Sequence, residues 1–136
     1  LGNAKYAAVR TAFEHAFEEL DATQPHTKDA VRSIFESLEI LVKQMVDTQN
    51  LNEWIVKNSL KDKALNAYGN DPAAKDSIGK MFDGFAQWVN SIHNYRHGQE
   101  GPEPVAPSIE FAVYALSSGA AFLRWLVDMD SKNDKA

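Results

Sequence analysis

Cysteine is absent from this sequence, which excludes disulfides, thiolate nucleophiles and cysteine-ligated zinc or iron–sulfur centres. Positive charge is scarce: 14 Lys and Arg stand against 19 Asp and Glu, for a formal charge of -5. Nucleic-acid affinity rests largely on cations neutralising phosphates, so this balance excludes a broad nucleic-acid surface and leaves room only for a local basic patch. Sustained apolar/polar alternation is missing, and strands are not expected. No basic segment followed by an apolar run opens the chain, so no signal peptide is read and cytoplasmic residence is the expectation. The stretch Phe111 to Leu123 carries no charge, but it is shorter than the ~20 apolar residues that cross a bilayer, and no membrane span is predicted. The first residues are Leu1-Gly2-Asn3 and not Met, which reads as a processed chain or a fragment of a longer protein with an effector domain, fused or separate.

What is present is helical periodicity from end to end. A chain of 136 residues that is 44% hydrophobic can bury one real core, and the spacing predicts an all-α, single-domain bundle of about five helices over 1–136. The first helix, about 3–20, places Tyr6, Val9, Phe13, Phe17 and Leu20 on one face. Thr27 is the expected cap of the second, whose apolar face from Val31 to Val46 predicts a place at the bundle centre. The third begins at Asn50 with Leu51, Trp54 and Ile55 on one side, and its pattern weakens at Asn58-Ser59, where a bend is expected. Its Lys57, Lys61 and Lys63 read as a solvated face.

Asp71-Pro72 reads as the cap and first turn of the fourth helix, with Ile78, Met81, Phe82, Phe85, Trp88, Val89 and Ile92 inward. Gly79 and Gly84 within it are expected to admit a close neighbour. After the proline-broken stretch from Gly98 to Pro107 comes the most apolar helix, capped by Ser108 or Ala106. Being apolar all round, it is predicted to be buried all round, either at the bundle centre or against a second copy in a homodimer. The tail from Asp130 is expected to fray.

Chemistry is sought where the fourth helix ends, in Ser91-Ile-His-Asn-Tyr-Arg-His-Gly98. Asn90, His93, Asn94 and His97 fall on one polar stripe at helical spacing, with Arg96 adjacent. Two imidazoles, a guanidinium and two amides at one helix end can hold a phosphodiester. His93 or His97 would move the proton, Arg96 would stabilise the anionic transition state, and Asn90 and Asn94 would bind substrate. The competing explanation is ordinary C-terminal capping by cationic residues before a terminating glycine. His93 and His97 could share a metal with Glu100 or Glu103, but the zincin order needs Glu after the first histidine and Asn94 stands there, so no metal and no cofactor are predicted. Arg10-Thr-Ala-Phe-Glu-His15 has an Arg-x4-His spacing but lies within a helix and reads as chance. Ser117 and Ser118 have no base nearby in sequence and read as hydroxyls bonded to the preceding turn.

The aromatic helix ending in His97-Gly98, the short polar loop and the long apolar final helix together resemble the HEPN superfamily, in its abortive-infection C-terminal type. The resemblance covers about 78–128. It implies a helical domain of a prokaryotic defence or stress protein, and in active members an arginine and a histidine separated by four to six residues meet their copies across a homodimer to cleave RNA without metal. His97 matches the histidine. Asn90, Ser91 and Ile92 occupy the arginine's place, and Arg96 lies beside the histidine instead. The resemblance therefore implies either a rearranged site using Arg96 and His93, or a degenerate member used for binding. The alternative from a different class is a non-catalytic helical dimerisation or regulatory module of a larger protein. A sensor pocket among Trp54, Trp88 and Trp125 is a third reading.

Overall fold

The computed structural model describes residues 3–68, 71–96 and 105–134. Every regular element among them is helical, as the periodicity predicts: a 3-10 turn at Ala4–Tyr6, then α1 (Ala7–Asp21), α2 (Thr27–Met45), α3 (Glu53–Ile55), a π turn (Val56–Leu60), α4 (Lys61–Tyr68), α5 (Pro72–Arg96) and α6 (Ile109–Asp134). The segments α3, π turn and α4 run on without a break, so the bundle has five rods. No helix of the described residues is long and apolar enough to cross a membrane.

At the centre lies α2, packed against α1, α5 and α6. Val31, Ile34, Phe35, Leu38, Leu41 and Val42 all lie at or near zero exposure, so its amphipathic face supplies the heart of the core. The α1 hairpin partner is antiparallel to it, and the turn between them closes through the His26 amide donating to the Glu19 carbonyl at 2.9 Å. Parallel to α2 runs α6: the Thr27 hydroxyl donates to the Pro107 carbonyl at 2.8 Å, and further along Ile34 lies against Gly119. Thr27 thus does not cap α2 as the sequence suggests. It is the first residue of the helix, and its hydroxyl ties the segment before α6 to the start of α2.

Against α6, α5 is antiparallel, and aromatic rings span the space between the two backbones. Phe82 meets Trp125 with ring centroids 4.9 Å apart, Phe85 meets Phe122 at 4.4 Å and Tyr95 meets Phe111 at 5.4 Å. Asp71 caps α5 by accepting from the Ala74 amide at 2.8 Å, and Ser108 caps α6 by accepting from the Phe111 amide at 3.1 Å. The weak pattern at Asn58-Ser59 corresponds to the π turn, which takes up an extra residue before α4 resumes.

Several side chains depart from the expected faces. Trp54 is 64% exposed and Met81 is 55% exposed, because Leu51 with Ile55, and Phe82 with Phe85, take the inward direction and leave these neighbours outside. Gly84 has open space where a Cβ would stand, and Gly79 faces only the tip of Lys61. The close approach falls instead at Gly119, where a Cβ would lie 2.8 Å from Ile34 Cγ1 and 3.0 Å from Trp88 Cζ2. The end of the chain also differs: α6 continues to Asp134, and Asp130 is buried, accepting from the Tyr6 hydroxyl at 2.9 Å and pairing with Lys5 Nζ at 2.8 Å.

Candidate functional site

Local bonding builds the first candidate site where α3 meets α5. Asn52 caps α3 by accepting from the Ile55 amide at 2.9 Å, and the Leu51 amide donates to the Glu39 carboxylate of α2 at 2.9 Å. These bonds hold the segment 50–53 upright beside α5. Between them opens a cleft of about 260 Å³, floored by Phe35, Leu51 and Val89 and walled by Asn50, Asn52 and Glu53 on one side and Asn90 and His93 on the other. Asn90 and His93 stand one turn apart on α5 and are exposed.

The structure therefore brings two of the sequence-predicted residues into one cleft. Asn94 is exposed on α5 but does not line it. Arg96 closes α5, and its side chain lies outside the described residues, as do His97, Gly98, Glu100 and Glu103. Asn50, Asn52 and Glu53 are the partners that sequence reasoning missed. Their one signal was the run Asn50-Leu-Asn-Glu-Trp54, where an asparagine cap and an acidic first turn announce a helix start but not which neighbour it faces.

Electrostatics limit what this cleft can do. None of its described lining residues is Lys or Arg, and Glu53 is bound to Lys57 Nζ at 2.9 Å, which holds the Lys57 ammonium above its ordinary pKa. An adjoining hollow that shares Phe35 carries Glu36 and Glu39 beside Arg32. Carboxylates in that density repel a phosphodiester. The amides and imidazole offer hydrogen bonds in both senses, which suits binding better than bond cleavage.

Elsewhere the described residues hold one group with metal-ligand spacing. Glu19, His26 and Asp29 bring donor atoms within 4.8 Å of one another at the α1–α2 turn, where His26 Nδ1 already contacts Glu19. His26 and Asp29 are exposed, and the contact is accounted for by closure of the turn. His15 of the Arg10-x4-His15 spacing lies within α1, 3.5 Å from Glu19. Among the described residues the three tryptophans stand in different surroundings: Trp54 is exposed, Trp88 stacks on Phe35, and Trp125 packs on Phe82.

A second candidate surface is the outward side of α6. Its inner face, with Ala112, Ala115, Leu116, Gly119, Leu123 and Leu126, is buried against the bundle, so the helix is central on that side. On the other side Ile109, Val113 and Tyr114 are 46%, 47% and 64% exposed, and Ser117 and Ala121 continue the same strip. Within one chain no rod of the described residues covers this strip, so burial at the bundle centre holds for the inner face only. Beside it a hollow of about 230 Å³ opens between α5 and α6, with Gly84, Gln87 and Ser91 on one bank and Tyr114 on the other. Trp88 borders this hollow, and its buried indole N–H has no hydrogen-bond partner among the described residues. Ser118 is bonded to the Tyr114 carbonyl at 2.6 Å, as expected of a helix hydroxyl. Compared with known proteins, the chain matches no family model, no curated protein and no solved structure.

Proposed function

We propose that this chain is a non-catalytic helical dimerisation module of a larger protein, pairing with a second copy through the outward strip of α6. The observation that carries this reading is the exposure of Ile109, Val113 and Tyr114 around a stretch, Phe111 to Leu123, that has no charged residue. Contiguous exposed apolar surface is the ordinary mark of an interaction site. In a chain of net charge -5, a neutral face lets two identical copies meet about a two-fold axis without like charges in contact. The α5–α6 hollow alongside leaves room for side chains from the partner copy.

Sedimentation equilibrium of the wild-type chain beside Val113→Lys and Tyr114→Lys tests it. The expected outcome is a dimer that each variant converts to monomer while far-ultraviolet circular dichroism stays unchanged. A wild-type chain that stays monomeric at high micromolar concentration overturns the reading.

A second reading is favoured by Asn90 and His93 sharing a cleft with Asn50 and Asn52: a HEPN-like domain that binds or cleaves RNA there, with His97 and Arg96 completing the site. Incubation with mixed cellular RNA in the presence of chelator separates the two readings. Cleavage that disappears in His97→Ala and His93→Ala supports the nuclease and removes the non-catalytic description. Intact RNA throughout supports the module.

A further inference from the structure

The largest of the hollows described for this protein lies on the opposite flank of α6 from the α5–α6 hollow, where α1 crosses it. It measures about 370 Å³ and is lined by Phe13 of α1 and by Ala120, Leu123, Arg124 and Val127 of α6. That volume is in the range of small-molecule sites, which run from about 300 Å³ upward. Its walls are apolar: Phe13 packs on Phe17 with centroids 5.0 Å apart, and Leu123 is a core residue. The exception is Arg124, an exposed cation on the wall of an otherwise hydrocarbon groove.

Arg124 makes no ion pair or hydrogen bond with any described residue. Five lysines are engaged in ion pairs, Lys5 with Asp130, Lys57 with Glu53, Lys61 with Asp83, Lys80 with Asp76 and Lys132 with Asp128, so their carboxylates are taken. The carboxylate four residues ahead of Arg124, Asp128, is taken by the Tyr68 hydroxyl at 3.1 Å and by Lys132 at 3.3 Å. Cation-before-acid is also the weaker order for a helical pair four residues apart. Two described guanidinium groups, Arg32 and Arg124, are thus without an ion pair; Arg32 shares its hollow with Glu36 and Glu39, whereas Arg124 stands beside the largest apolar groove described, with no carboxylate among the described residues lining it. A guanidinium matches a carboxylate in a two-pronged pair.

We infer that this groove binds an amphipathic carboxylate of the fatty-acid class, its hydrocarbon chain lying on Phe13, Leu123 and Val127 and its head group paired with Arg124. The inference does not rest on dimerisation: the groove lies further along α6 than the exposed Ile109, Val113 and Tyr114, and no residue belongs to both.

The probe is sodium decanoate below its micelle concentration, titrated calorimetrically into the wild-type chain, with decanol as the uncharged control. One decanoate is expected to bind per chain and to raise the thermal midpoint, with decanol at least about tenfold weaker. Arg124→Gln is expected to weaken decanoate by about tenfold and leave decanol unchanged, while Arg124→Lys retains part of the affinity. Because Arg124 is exposed and unpaired, both variants should keep the wild-type circular dichroism and thermal midpoint in the absence of ligand. Absence of saturable binding overturns the inference, as does decanoate binding that Arg124→Gln does not change, or equal affinity for decanoate and decanol.

Discussion

Gly119 is where a single missing Cβ sets how closely α6 approaches α2 and α5. An alanine there would press on Ile34 and on the Trp88 ring, neither of which is a loose surface chain. Gly119→Ala is therefore expected to lower stability by about 1–3 kcal/mol in chemical denaturation. Gly84→Ala is the matched control: its Cβ meets nothing, so removing a glycine from a helix interior should raise stability by about 0.5–1 kcal/mol. A second residue-scale feature is Tyr6. Burial, first, and then its bond to Asp130 raise the phenol pKa above the ordinary tyrosine value, while Ser131 and Lys5 work against the shift. The folded value thus exceeds the unfolded one. The neutral phenol contributes stability that is fully present below about pH 10 and is lost as pH rises through the folded value. Tyr6→Phe should be less stable than wild type at neutral pH by about 1–2 kcal/mol, since a buried carboxylate loses a donor, and the gap should narrow on the alkaline side.

At the scale of elements, two ties fix how the rods sit. One is Thr27 to Pro107, which joins the start of α2 to the residues leading into α6. Thr27→Val keeps the shape, removes the donor and should cost about 1 kcal/mol, with the loss read by urea denaturation. The other is the junction of the Tyr6 hydroxyl and Lys5 Nζ with Asp130, which fastens the end of α6 to the start of the chain. Truncation before Asp130 should consequently lower the denaturation midpoint, where trimming a frayed end would leave it unchanged. The π turn at Val56–Leu60 lets Ile55 of α3 face the core together with its own Val56 and Leu60 and with Ala64 of α4, although a regular helix would turn Ile55 and Ala64 to opposite sides.

Across the whole molecule, α1, α5 and α6 cover α2 and leave the outer side of α6 bare. That bare strip, the polar cleft at Asn90 and His93 and the Arg124 groove are three surfaces of different chemistry on one small bundle. Their independence is testable by combination: Tyr114→Lys should abolish dimerisation in ultracentrifugation and leave decanoate titrations unchanged, because no residue is shared between the strip and the groove.

The helical class, the single bundle and the central place of α2 follow from the sequence alone, because a 3.6-residue apolar period can bury its stripe in only one way. The caps at Asp71 and Ser108 are equally local, since a cap bonds to an amide three residues ahead. Tertiary structure decided the rest. Whether Met81 and Trp54 lie in or out depends on which neighbour claims the inward direction, and the short-range pattern is the same either way. Gly84 and Gly119 look alike in sequence and differ only in what stands opposite. Asn90 and His93 acquire Asn50, Asn52 and Glu53 as companions through packing across about forty residues of chain, a distance over which helical periodicity carries no information. The apolar length of α6 specified that it must be covered. The number of rods available determined which side would be.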